Sequence, residues 1–263
     1  MFDLQAHRGG AGLAPENTLA AFANALDIGV STLECDVHVT ADGVPVLSHE
    51  RTYAGQVIPM HTAAELDTAA TLPDLVALLE DRRADEVRLN IETKFDVLHP
   101  DENAPRECFV ESVLDVLGKS DLLDRASIQS FDWTVLRLVR SEEPRLALNA
   151  VTNTRFLETD QPGASPWLAG LDIDDFHDSI PAAVAALGFD AISPSHTILT
   201  PAMVVEAHEA GLRVLPYTVD APSSMRWLIE IGVDGMITNR PDVLRSVLAE
   251  MDTPVPRPYP RIA

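Results

Sequence analysis

The feature that most constrains this chain is an alternation. Eight short runs rich in β-branched and apolar residues lie at 3–8, 32–37, 87–93, 126–131, 145–151, 190–194, 213–219 and 234–238. Amphipathic stretches follow them in turn, at 17–28, 73–83, 105–119, 132–141, 179–187, 201–211, 222–231 and 241–250. Strands separated by helices pair in parallel, because a parallel crossover takes a dozen residues or more. Eight such units are what an α/β fold of the (β/α)8 TIM barrel type requires. Pro15, Pro201, Pro222 and Pro241 stand at helix starts, and Gly211 and Gly232 where helix C-caps fall. One run is extra. Residues 44–49 (VPVLSH) follow the second strand after only TADG, too short for a crossover, so a hairpin insertion turning at Asp42-Gly43 is predicted. Its return delivers His49 to the C-terminal face, where barrels keep their active sites.

Of the 263 residues, 46% are hydrophobic and 23% charged, the balance of a soluble globular chain. One barrel domain is expected over 1–252, with a Pro-rich, semi-extended tail at 253–263. No apolar run reaches the ~18 residues of a membrane span. The start, MFDLQAHRGG, lacks the basic and apolar regions of a signal peptide, so a cytoplasmic location is expected. Cys35 and Cys108 form neither a metal-type spacing nor a disulfide framework. The net charge of −22 argues against nucleic acid and against stable insertion into anionic membranes. It leaves room for an anionic small molecule that meets a local cluster of cations. The lysines are only Lys94 and Lys119, so the position of Lys94 is informative. Nothing in the surface pattern predicts an oligomeric state.

The second strand, TLECDVHVT, puts Leu33, Cys35, Val37 and Val39 on one side and Glu34, Asp36 and His38 on the other. Polar groups recur at the ends of its neighbours: His7-Arg8 after the first, Glu92 and Lys94 after the third, Gln129 on the fourth, and His49 on the returning hairpin. Three carboxylates then converge with two cations. Left uncompensated they would cost several kcal/mol each or take up protons. A divalent cation removes the conflict, and oxygen-only donors favour Mg²⁺ or Ca²⁺ over zinc. Each element alone has a bland explanation, and His38 is assigned to the hairpin surface. His61, His99, His177, His196 and His208 fall in loops or helices without an assigned role. The convergence of His7, Arg8, Glu34, Asp36, His49, Glu92 and Lys94 on one rim is what carries the inference.

The segments AHRGGAGLAPENTLAAF, ECDVHVTADGVPVLSHE, NIETK, QSFD, YTVD and GVDGMITNRPD, in this order, resemble the glycerophosphodiester phosphodiesterase family across roughly 3–248. The resemblance implies a barrel of the phosphatidylinositol phospholipase C type and a divalent metal held by Glu34, Asp36 and Glu92. It implies His7 and His49 as the acid/base pair and Arg8 and Lys94 as phosphate contacts. Gln129 and Tyr217 complete the expected substrate side. Glu16 and Asn17, from PENT, would order the rim. The implied reaction turns a small glycerophosphodiester into glycerol 3-phosphate and an alcohol. Three of the motifs depart from the family pattern, at four positions: Glu50, Tyr217, Asp220 and Asn239. HD reads His49-Glu50, WTVN reads Tyr217-Thr218-Val219-Asp220, and TDRPD reads Thr238-Asn239-Arg240-Pro241-Asp242. Two alternatives stand beside this one: a lysophospholipase D or sphingomyelinase D-like lipid phosphodiesterase, and a non-catalytic phosphate-binding barrel.

Overall fold

The computed structural model describes residues 2–158 and 163–261. Strand β1 (Asp3–Ala6) and strand β2 (Thr32–Val39) are followed by β3 (Pro45–Leu47), which folds back antiparallel on β2. A small ladder of β4 (Thr52–Tyr53) and β5 (Gln56–Val57) comes next. The chain then runs through β6 (Arg88–Thr93), β7 (Ala126–Ser130), β8 (Ala147–Thr152), β9 (Ala191–Pro194), β10 (Arg213–Val214) and β11 (Gly235–Thr238). Parallel pairing gives the order β10-β9-β8-β7-β6-β2-β1-β11. The ring is completed by Asp234 N–H donating to Val214 O, Ile237 N–H to Pro216 O and Val219 N–H to Ile237 O. The result is the expected α/β barrel with a hairpin after its second strand.

Helices α1 (Leu19–Ile28), α2 (Leu72–Asp81), α3 (Arg106–Gly118), α4 (Trp133–Glu142), α5 (Thr154–Leu157), α6 (Ile180–Ala186), α7 (Pro201–Glu209), α8 (Pro222–Glu230) and α9 (Pro241–Glu250) accompany the strands. Three of the four proline signals hold: Pro201, Pro222 and Pro241 are first residues of helices, where a missing N–H costs nothing, whereas Pro15 lies outside α1, three residues before its Thr18 cap. Helix α1 begins two residues later than its pattern suggests, because Thr18 caps it by accepting from Ala21 N–H.

The hydrophobic core lies between strands and helices. Leu4, Leu33, Cys35, Leu89, Ile91 and Ile128 point outward into it. The inward set is polar: Gln5, Glu34, Asp36, Asn90, Glu92 and Gln129 are all buried. Strands of a parallel barrel usually read as continuous apolar runs. Here β2 alternates because its inner face meets a polar lumen. Register carries these groups to one level, with Asp36 beside Glu92 and Glu92 beside Gln129, and Glu34 beside Asn90 one step below.

Two strands are shorter than their patterns. Pro216 has no N–H for the ladder, so β10 stops at Val214. β1 stops at Ala6, and His7–Gly9 form a single 3₁₀ turn with Arg8 in the left-handed region at φ 53°. The turn continues through Gly9 at φ 82°, where an added Cβ would lie 2.8 Å from Ala21 Cβ and 2.9 Å from the Phe22 nitrogen. Of the tail, the part up to Arg261 is described and 262–263 lie outside. Tyr259 is buried, with its N–H donating to Leu26 O and its carbonyl accepting from Arg82 Nη1.

Gly9→Ala therefore combines strain at positive φ with a clash against α1. We expect about 1–3 kcal/mol lost in urea denaturation, the usual range for such backbone positions. A variant as stable as the parent would show that the turn after β1 has other room.

Candidate active site

The site is built around β2. Glu34, Asp36 and Glu92 are buried, and one carboxylate oxygen from each lies within 4.8 Å of the others. Burial pushes the Glu34 carboxyl well above its ordinary range, and the charges of Asp36 and Glu92 add to the shift. Burial acts on Asp36 in the same direction, but Lys94 and Arg8 outweigh it and hold that carboxyl below its ordinary range. Lys94 Nζ lies 2.7 Å from Glu92 Oε1 and 3.7 Å from Asp36 Oδ1. Arg8 Nε is 3.0 Å from Asp36 Oδ2, an ion pair without hydrogen-bond alignment, and Arg8 N–H donates to Glu34 Oε2 at 2.8 Å. Asp36 Oδ1 is buried with no hydrogen-bond partner. An all-oxygen set of three buried carboxylates with one orphaned oxygen fits a hard divalent cation.

The rim residues of PENT tie the cluster down. Asn17 donates from Nδ2 to Asp36 Oδ2 and accepts from Asp36 N–H, while Glu16 accepts from Arg8 Nη1 at 2.8 Å. Asn17 takes up φ 55° to do so, a conformation asparagine tolerates better than most residues.

His7 is half-buried beside the cluster. Burial lowers its pKa, as does Arg8, against the raising charges of Asp36 and Glu92. Its Nδ1 is 2.7 Å from Asn239 Oδ1. His49 hangs at the end of the β3 return, with Nδ1 2.8 Å from Glu50 Oε1. The HE pair thus places a carboxylate on His49. Cavities of ≈ 470 Å³ and ≈ 460 Å³ flank His49 and Glu50 on either side. Glu16, Tyr53 and Asp67 line the first. Lys94, Phe131, Phe156 and Trp167 line the second.

The structure corrects the placement of His38. It is buried, not on the hairpin surface: β2 continues to Val39, and His38 Nε2 reaches His49 O at 3.3 Å. Burial drives its pKa down to about 4, so the ring is neutral. Gln129 lies beneath the carboxylates, donating from Nε2 to Glu34 Oε1 at 2.9 Å and to Glu92 Oε2 at 3.3 Å. The Tyr217 hydroxyl donates to Thr152 O, and its ring packs edge-on to Phe131. Burial pushes its phenol pKa up to about 12.

Sequence inspection missed the polar stack under the site. Asn90 donates from Nδ2 to Gln5 Oε1 and Gln129 Oε1, and its own Oδ1 accepts from Asn149 Nδ2 and Ser127 Oγ. A signal was available in the period of two, since Asn90 precedes Glu92 by two residues on one strand face.

The barrel thus presents three buried carboxylates and two histidines held through Nδ1 at one end, and comparison with known proteins supplies the class, that of phosphodiester hydrolases. The model of the Glycerophosphoryl diester phosphodiesterase family matches residues 7–243, and the chain belongs to that family. It is 30% identical to the probable glycerophosphodiester phosphodiesterase 2 of Mycobacterium tuberculosis, covering 92% of this chain and 89% of that one. It is 26% identical to the glycerophosphodiester phosphodiesterase of Caldanaerobacter subterraneus subsp. tengcongensis, over 91% and 94%. The crystal structure of a Silicibacter pomeroyi DSS-3 protein assigned to the same class superposes with a TM-score of 0.83 at 29% identity, covering 96% of this chain and 95% of that one. An Oleispira antarctica phosphodiesterase, solved with the product sn-glycerol-3-phosphate, shares the fold at 21% identity, with a TM-score of 0.74 over 93% and 96%. No described helix is long and apolar enough to cross a membrane.

The raised Glu34 pKa has a signed consequence. Stability from its neutral form is complete below about pH 4.5 and is lost as pH rises through the raised value. Asp36 acts oppositely, but only in the acid range below 3.8. In chelator the melting temperature of Glu34→Gln relative to the parent should therefore rise between pH 4.5 and pH 7, by about 3 °C for each ~1 kcal/mol. That rise comes on top of a pH-independent cost, because both Glu34 oxygens accept hydrogen bonds and the glutamine must aim its NH₂ at a donor. With saturating Mg²⁺ the parent should gain stability and the variant should not. Scanning calorimetry with and without chelator checks both arms.

Proposed function

We propose that this chain hydrolyses small glycerophosphodiesters to glycerol 3-phosphate and an alcohol, with Glu34, Asp36 and Glu92 holding a divalent cation and His7 and His49 as the acid/base pair. The observation that carries this is the cluster of three buried carboxylates, in which one Asp36 oxygen is left without a hydrogen-bond partner; His7 and His49, each held through Nδ1, stand at the same end of the barrel. The glycerol 3-phosphate bound in the Oleispira antarctica relative supports the substrate class.

Phosphodiester cleavage needs charge neutralisation on the phosphoryl oxygens, a deprotonated nucleophile and a protonated leaving group. The cation, when bound, polarises the phosphoryl group as a Lewis acid. Arg8 and Lys94 bring further positive charge to the same oxygens; Lys94 is held charged, because Glu92 and Asp36 outweigh its burial. One imidazole takes the proton of the attacking hydroxyl, that of glycerol C2 or of water, while the other protonates the departing alcohol. The cavities on either side of His49 suit the two arms of a diester. The unpaired Cys35 and Cys108 suit a reducing, cytoplasmic setting.

His7→Ala and His49→Ala should each lower kcat by about 10²–10⁴-fold, the usual contribution of one acid/base group. Chelation should stop turnover, and Mg²⁺ or Ca²⁺ should restore it. The assay measures glycerol 3-phosphate released from glycerophosphocholine, with lysophosphatidylcholine run in parallel. Near-parental turnover by both variants would remove the histidines from the chemistry. Preferential cleavage of lysophosphatidylcholine would move the substrate to lipids.

A further inference from the structure

Behind His7 lies a short chain of hydrogen bonds that the proposed acid/base role leaves unexplained. Thr238 closes β11, and Asn239 follows it. Asp220 stands ahead of α8 and is exposed, yet it accepts three hydrogen bonds. Its Oδ1 takes Asn239 N–H at 2.8 Å and the Thr238 hydroxyl at 3.0 Å; its Oδ2 takes the Asn239 side-chain amide at 2.8 Å. The Asn239 main chain is held from the other side too, its carbonyl accepting from Gly12 N–H. The Asn239 Oδ1 then faces His7 Nδ1 at 2.7 Å.

The direction of each bond is forced. A carboxylate accepts and has no proton to give, so the amide edge toward Asp220 must be NH₂. The other edge is then the oxygen, which also only accepts. His7 must therefore carry its proton on Nδ1, and the neutral ring leaves Nε2 with a free lone pair. The charges that bear on His7 are Arg8 from its own turn, Asp36 from β2 and Glu92 from β6. The group touching its Nδ1 is uncharged. His49 differs, since a carboxylate sits on its Nδ1 directly. Compared with the motif, the amide and the carboxylate have changed places: WTVN and TDRPD put Asn where Asp220 stands and Asp where Asn239 stands.

We propose that Asp220 is a positioning residue that acts through Asn239: it fixes the amide orientation, and so the Nδ1–H tautomer of His7, whose bare Nε2 is the first proton acceptor of the reaction. The tautomer follows from the hydrogen bonds, whereas the reaction step rests on the proposed phosphodiesterase activity. In that step the attacking oxygen bonds to phosphorus as its proton passes to His7 Nε2. The bond from phosphorus to the leaving alcohol breaks, and that oxygen takes a proton from His49.

The same logic makes Asp220→Asn a switch. The single oxygen of an asparagine at 220 is still claimed by Asn239 N–H and the Thr238 hydroxyl, so its NH₂ faces Asn239. The Asn239 amide must then turn over and present NH₂ to His7 Nδ1, which becomes an acceptor. His7 shifts to the Nε2–H form, and its reactive nitrogen is blocked. In the exchanged pair Asp220→Asn/Asn239→Asp, NH₂ at 220 donates to the new carboxylate, which again accepts from Nδ1–H.

Long-range ¹H–¹⁵N NMR of ¹⁵N-histidine-labelled protein, with His7 assigned by its loss in His7→Gln, reads the tautomer directly, with chelator and with Mg²⁺. The parent should show Nδ1–H at neutral pH, Asp220→Asn should show Nε2–H, and the exchanged pair should return to Nδ1–H. In parallel, kcat on glycerophosphocholine should fall about 10²–10⁴-fold in Asp220→Asn with KM little changed, because a base held in the wrong tautomer loses its acid/base contribution. The exchanged pair should recover it. The acidic limb of the exchanged pair's kcat/KM profile should rise by about one pH unit, because a carboxylate on Nδ1 stabilises the protonated ring and a base must be neutral to act. An Nε2–H signal in the parent, or an unchanged Nδ1–H signal in Asp220→Asn, overturns the proposal. So does a pH profile of the exchanged pair that superimposes on the parent's. A parent that releases no glycerol 3-phosphate with either cation would instead overturn the phosphodiesterase activity, and the tautomer measurements would still decide the role of Asp220.

Discussion

Three carboxylates packed into the lumen of a barrel cannot all remain charged without counter-charge, and much of the surrounding structure answers that constraint. Glu34 and Asp36 share the inner face of β2, and Glu92 joins them from β6 because parallel register sets it beside Asp36. Lys94 and Arg8 supply two positive charges, Asn17 and Gln129 supply hydrogen-bond donors, and one oxygen of Asp36 is still left over. Burial raises the Glu34 pKa, and the charges of Asp36 and Glu92 add to the shift. A divalent cation would offset these charges, so binding the ion and stabilising the barrel are linked.

Polar groups deeper in the lumen serve the same end. Gln129 donates upward to Glu34 and Glu92, and its own oxygen accepts from Asn90, which is held by Gln5, Ser127 and Asn149. Such a network is tolerable only when its members are satisfied, since each orphaned group in a buried setting costs about 1–3 kcal/mol. Satisfying it also orients the carboxylates from below. At the rim the two histidines are held differently, His7 by an amide and His49 by a carboxylate.

Much of this was legible in the residues. The eightfold alternation, the short TADG connection and the helix-initiating prolines led to the barrel and its hairpin, because local rules govern them. The period of two put Glu34 with Asp36 and Glu92 with Lys94 on common faces. What local rules could not reach was set by distant partners. His38 belongs to the same alternation but is buried, because β2 runs past the rim and β3 returns over it. Tyr259 lies in a tail whose composition suggests an extended segment, yet Leu26 and Arg82 draw it against the helices. The strand pattern of β1 runs through His7-Arg8, but Glu34 captures Arg8 N–H and turns the chain instead.

By itself, then, the sequence determined which faces would be polar, how many strand–helix units the chain would form and which oxygen donors could meet a hard cation. Those are consequences of side-chain period, chain length and donor chemistry, all local quantities. Only the tertiary structure decided that Glu92 comes level with Asp36, that Gln129 lies beneath the carboxylates and that Asp220 and Asn239 stand behind His7. These relations join residues tens to hundreds of positions apart. They depend on barrel closure and strand register, which arise when the whole ring forms.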